Sequence, residues 1–224
     1  MKKINLVLLL AGLLCPIFMQ AQGTLYLSNS GVTPMGSAEI GSDSWIGQSF
    51  YTGTNPDGYT LDSIQLLMNS AIGNPDNVTV SIYSWTSGTG APGTEIASLT
   101  GFNPSTGGLY TYTASGITLL PSTDGAEQSY FVVVTASTPV AVGAYDWSAA
   151  NTEQQQLSEF IQNDGWLFHD EYFSSTDGST WTKTIRQDIF QMAIYATPIP
   201  EPQIYAVLGL SLAYIGFRRF RRSK

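Results

Sequence analysis

The chain has 224 residues and a formal net charge of −8, but its charges are segregated. Seven of its nine Lys and Arg residues lie in the first three or last seven positions. Between residues 22 and 199, two bases (Lys183 and Arg186) face sixteen acids, a net of −14 that repels nucleic acid and anionic lipid and could attract divalent cations.

At the N-terminus, Lys2 and Lys3 precede an apolar run over residues 4–19, broken mainly by Asn5. Met19-Gln20-Ala21 then ends on a small residue. This is the pattern of a secretory signal peptide over 1–21, with cleavage expected after Ala21. Cys15, the only cysteine, falls inside it. Leu14 and Pro16 flank it poorly for a lipid-acceptor cysteine, so it reads as passive. The exported chain then has neither a disulfide nor a thiol.

Residues 22–199 amount to one domain, long enough to bury a core without staples. Strand signals dominate it. Residues 24–27, 45–52, 60–68, 78–85, 95–99, 109–113, 130–135, 140–147, 166–172, 180–185 and 190–196 are rich in Val, Ile, Thr, Tyr, Phe and Trp. Turn residues separate them, as in Asn55-Pro56-Asp57-Gly58, Asn74-Pro75-Asp76-Asn77 and Asp177-Gly178. In 78–83, Val78, Val80 and Ile82 share one face; Thr79, Ser81 and Tyr83 share the other. Leu157, Phe160 and Ile161 recur at helical spacing and predict one or two helical turns within 151–162. Many short strands with Gly/Pro turns predict an all-β fold, a β-sandwich or jelly roll.

The order of these strands carries a resemblance. WIGQSFYTG at 45–53 precedes YTLDSIQLL at 59–67, followed by Ile82-Tyr83-Ser84, Ala91-Pro92-Gly93-Thr94 and Tyr130-Phe131-Val132-Val133. This resembles the choice-of-anchor β-sandwich domains that stand before bacterial surface-sorting tails, the R type most closely. The resemblance covers most of 41–196. It implies a fold and a surface role, not a reaction.

Several groups could carry chemistry. His169 is the only histidine, and no Gly-x-Ser-x-Gly elbow accompanies it. It reads as a surface strand residue beside Trp166 and Phe168. Glu159, Asp170 and Glu171 are the candidate carboxylates for glycoside hydrolysis, but sixteen acids supply such pairs by chance. Adjacent Asp170 and Glu171 are expected on opposite faces of a strand. One histidine and no second soft ligand argue against zinc. Asp43, Asp57, Asp76 and Asp124 lie in or near Gly/Asn/Ser-rich loops and are the donors a structural calcium would use. No catalytic set and no required cofactor emerge. Of five tryptophans, Trp85 and Trp181 adjoin Gly-rich turns and are the candidates for stacking on a sugar ring.

The tail has three parts. Pro200-Glu201-Pro202 comes first, an apolar run over 204–217 follows, and Arg218, Arg219, Arg221, Arg222 and Lys224 close it. As a helix the fourteen-residue run would be roughly 21 Å long, short of the about 30 Å of a bilayer core. Snorkelling arginines and Phe220 could make up part of the difference. The basic cluster predicts a cytoplasmic end. The three parts in this order resemble the PEP-CTERM sorting signal of Gram-negative bacteria, from which the family's exosortase is thought to remove the tail. Gln203, where a small residue is commoner, and Phe220, between the arginines, depart from that pattern.

The resemblance implies a transient inner-membrane intermediate (200–202 motif, 204–217 transmembrane helix, 218–224 basic stop), then release to the cell surface or matrix. The implied partners are the exosortase, the export machinery and extracellular polysaccharide. The expected protein is therefore non-enzymatic. A lectin-like jelly roll is the alternative, and a glycoside hydrolase a more distant one.

Overall fold

The computed structural model of the protein describes residues 23–122, 128–151, 153, 158–185 and 188–201. The expected signal peptide, the run 204–217 and the basic stop lie outside the described residues. Among the described residues, no helix is long and apolar enough to cross a membrane.

Among the described residues, fifteen strands make up the fold. They are β1 (Thr24–Ser28), β2 (Gly36–Ile40), β3 (Trp45–Tyr51), β4 (Tyr59–Met68), β5 (Ile72–Gly73), β6 (Thr79–Trp85), β7 (Pro92–Ser98) and β8 (Gly108–Leu119). They continue with β9 (Ser129–Thr135), β10 (Gly143–Asn151), β11 (Ile161–Gln162), β12 (Leu167–Ser175), β13 (Thr182–Ile185), β14 (Asp188–Phe190) and β15 (Met192–Pro198).

They form two antiparallel sheets. One follows the order β11-β1-β15-β4-β10-β14, with β2 and β5 added on β10 and β8 on β4. The other runs β13-β12-β3-β9-β6-β7. The first strand of the domain pairs with its last, Thr24 against Ala196 and Ser28 against Ala193. This is the all-β, two-sheet architecture that the strand and turn pattern predicts.

The main core lies between the sheets. Leu27, Ile64, Leu66 and Ile194 come from the nine-stranded sheet; Ile46, Phe50, Val80, Ile82, Val132 and Val134 come from the six-stranded one. Trp166 joins them. Its ring stacks on Tyr26 at 5.0 Å and on Phe50 at 5.9 Å, so one indole bridges the two layers. Such aromatic pairs add roughly 0.5–1.5 kcal/mol each beyond the area they bury.

A second, smaller cluster sits on the other side of the six-stranded sheet: Tyr83, Phe131, Val133 and Phe173, with Trp45, Ala91 and Trp181 packed on them. β9 is therefore buried along its whole length. Tyr130, Val132 and Val134 face the main core, whereas Phe131 and Val133 face outward into this cluster.

One helix reading and two strand readings are corrected. Ile161 and Gln162 pair with Ser28 and Leu27 as β11, so that end of the expected helix is extended; residues 152 and 154–157 lie outside the described residues. The expected strand 190–196 is two strands, parted at Gln191. Gln191 is fully buried there, and its Nε2 donates to the carbonyls of Asn29 (3.0 Å) and Val32 (2.7 Å). Third, the strand expected at 109–113 continues to Leu119. Gly116 takes φ +68° at a bulge, and pairing resumes with Ile117 opposite Leu61.

Candidate cleft on the outer face of the six-stranded sheet

Antiparallel registry sets neighbouring side chains side by side on one face. Here Ser49 lies opposite Phe131, and Tyr51 opposite Ser129. Tyr83 lies opposite Phe131 on the next strand. Ser49, Tyr51, Ser129 and Phe131 floor a cleft of about 800 Å³. Trp85 and Gly90 form one wall, while His169, Glu171, Phe173 and Lys183 form the other.

Trp85 ends β6 and is 41% exposed. The following loop is closed by two backbone bonds, Gly90 N–H to the Thr86 carbonyl and Thr86 N–H to the Ala91 carbonyl, both 3.0 Å. Gly90 has φ +68°, and a Cβ there would lie 3.6 Å from the Trp85 indole nitrogen. The turn thus brings bare backbone up to the indole edge.

The opposite wall arises from a bulge. Phe168 pairs with Phe50 and Tyr172 with Gln48, so His169, Asp170 and Glu171 together stand against Ser49. His169 and Glu171 turn into the cleft, whereas Asp170 is exposed. Gln48 fixes this bulge from within the core. Its Nε2 donates to the carbonyls of His169 (3.0 Å) and Glu171 (3.3 Å). Ser49 Oγ donates to the same Glu171 carbonyl at 3.2 Å.

The Glu171 carboxylate contacts the Lys183 ammonium directly. His169 Nδ1 lies 3.6 Å from its other oxygen and is buried without a hydrogen bond. The imidazole packs on Tyr51 at 5.3 Å. Lys183 is the single Lys or Arg whose side chain is among the described residues. It sits on β13, which the Ser175–Thr180 turn joins to β12. In that turn, Asp177 Oδ1 accepts from Ser179 N–H and Thr180 N–H, both at 2.8 Å. The Thr180 N–H foremost, then those of Ser179 and the Ser175 hydroxyl, hold this carboxyl below its ordinary range.

The residues singled out from the sequence fall in different places. Trp85 lines the cleft. Trp181 is half-buried, edge-on to Tyr83 at 6.5 Å, on the same outer face. His169 stands on strand β12 and is half-buried in the cleft wall on the outer face of the sheet. Glu159 lies beside Gly31, away from Asp170 and Glu171, so the three carboxylates do not converge. Asp43 caps the Val140 N–H at 2.9 Å, and Asp76 N–H donates to Thr138 Oγ1 at 3.0 Å, while Asp57 belongs to the separate Asn55–Gly58 turn. Asp124 lies outside the described residues. No group of three or more His, Cys, Asp or Glu able to hold a metal occurs among the described residues.

Of the sorting motif, Pro200 and Glu201 are exposed; Pro202 lies outside the described residues. The chain is pinned just before them, where Ile199 N–H donates to the Gly58 carbonyl and Asn55 Nδ2 donates to the Ile199 carbonyl.

Tyr51, Ser49, Ser129 and Lys183 were not candidates at the sequence level, and Glu171 was one only as a hydrolytic carboxylate. One signal was present. The run Tyr130–Val134 is apolar at every position. In an antiparallel sheet such a run means that both faces are covered. No family of known proteins, no curated protein and no solved structure matches the chain.

Proposed function

We propose that this is an exported, non-enzymatic binding protein, delivered to the cell surface or matrix through its C-terminal segment, whose outer cleft takes up carbohydrate. The cleft carries the reading. An exposed indole stands at its rim, aromatic side chains floor it, and hydroxyl, carboxylate, ammonium and imidazole groups line it. Sugar rings present an apolar C–H face and a belt of hydroxyls, and that combination answers both.

Binding follows from these parts. A ring settles against Trp85, and apolar area leaves water there. Its hydroxyls exchange water for the polar groups of the β12–β13 wall. Glu171 is the one carboxylate lining the cleft among the described residues, and it is held by Lys183. Glycoside hydrolysis needs two carboxylates flanking the bond, so this arrangement favours holding a glycan over cleaving it. For delivery, the exposed Pro200-Glu201 segment directly after pinned Ile199 offers a processing enzyme an extended peptide clear of the sheet.

Glycan-array and polysaccharide retention assays on the full chain test the binding half. Trp85→Ala should abolish retention; retention equal to wild type would refute the cleft. Intact mass and cell fractionation test the delivery half. Wild type should lose its tail and leave the cell, whereas the Pro200→Ala/Glu201→Ala/Pro202→Ala protein keeps it in the membrane. Tail retention in both proteins would refute processing.

A further inference from the structure

We infer that the cleft selects an uncharged glycan, recognised through a pair of neighbouring hydroxyls by the joined Glu171 and Lys183 groups. This rests on the carbohydrate reading above and names its ligand class.

The charges carry the inference. Lys183 is the only described ammonium or guanidinium, and it is already in contact with Glu171. An acidic sugar would have to draw Lys183 away from Glu171. Its own carboxylate would then lie beside an uncompensated one, in a domain with two bases against sixteen acids. Like charges so placed repel. A cationic amino sugar would be attracted to the acidic surface at large, but would meet the Lys183 ammonium in the cleft.

A neutral diol fits without breaking the pair. One hydroxyl donates to the carboxylate, and its neighbour accepts from the ammonium, which has N–H groups to spare. Both bonds are charge-assisted. The wall is held for this purpose from behind, by Gln48 and Ser49 on the backbone of the bulge. The Trp85 indole, with the half-buried Tyr51 ring across the cleft, then supplies the apolar surface for the C–H face.

Titration calorimetry on the full chain provides the test. The neutral probes are mixed-linkage β-glucan and galactomannan, the acidic probe is polygalacturonate, and the cationic probe is chitosan. A neutral polymer is expected to bind, with affinity constant within about twofold between about 0.05 and about 0.5 M salt. Glu171→Gln and Lys183→Met should each weaken it about tenfold or more. Lys183 stands on an edge strand and is exposed, so its variant keeps the test open if Glu171→Gln folds poorly. Tighter binding of polygalacturonate or chitosan, lost in Trp85→Ala, would overturn the neutral assignment and leave the carbohydrate reading standing. Neutral binding unchanged in both wall variants would also overturn it. Binding of no polymer at all would overturn the underlying carbohydrate reading and this inference with it.

Discussion

Gln48 and Phe190 tie the two sheets together at a polar point inside the core. Gln48 Oε1 accepts the Phe190 N–H at 3.1 Å, from β3 of one sheet to β14 of the other. The same amide donates through Nε2 to the bulge that carries His169 and Glu171. One fully buried side chain therefore bonds to the facing sheet and to the cleft wall.

Gln48→Leu keeps similar bulk and removes those partners. The Phe190 N–H and the bulge carbonyls then lose a buried partner, at about 1–3 kcal/mol per orphaned group. A urea melt should show a loss of about 3 kcal/mol or more. Glycan affinity should fall with it, even at temperatures where the variant is folded. A melt equal to wild type would mean that water replaces the amide.

Asp177 is a surface residue with a local task. Its carboxylate gathers the Thr180 and Ser179 amides and the Ser175 hydroxyl, and the Thr180 amide contributes most to its lowered pKa. A carboxyl lowered in the folded state stabilises above its ordinary value of 3.8, and this is lost as pH falls through the lower folded value. Asp177→Ala should speed amide exchange in the β12–β13 hairpin at neutral pH. The Tm gap from wild type should close on acidification below 3.8. A gap that persists at the acid end would assign the effect to something other than charge.

Tyr112 gives the opposite limb. Burial, then neighbouring Tyr145 and Tyr110, push its phenol far above the ordinary 10. Its hydroxyl donates to the Phe102 carbonyl at 3.2 Å. The folded state holds this proton, so its contribution is complete below 10 and declines as pH rises beyond it. Ultraviolet titration should show Tyr112 ionising only with unfolding. Tyr112→Phe should lose less stability than wild type on passing from neutral pH to above 10. Equal alkaline losses would place the controlling phenol elsewhere.

What could be read from the residues was set by local pattern. Val80 and Ile82 point into the main core as their alternation requires. The opposite face was less legible: Tyr83 is also buried, in a cluster with Trp181 and Phe173 from distant parts of the chain, and Ser81 is buried against Glu95 and Ser98 of β7. Gly36–Ile40 has no aromatic residue and only Ile40 as a branched one, a weak strand signal, yet it pairs along β10. His169 and Glu171 share the cleft only through a register break opposite Ser49, and no spacing within the chain reveals a partner strand's count. Trp85 was legible because a Gly-rich turn beside a strand-ending indole is a local signal.

The pairing of Thr24 with Ala196 has a further consequence for how the protein comes into being. β1 lies between β11 and β15, and the second of these neighbours comes only with the last strand. A chain threaded through a membrane as an extended polymer would hold β1 without its β15 partner until the end of the domain had crossed. Closure of the nine-stranded sheet would then coincide with arrival of residues 192–198. The sheet would thereby be completed by the strand that directly precedes the exposed Pro200 and Glu201.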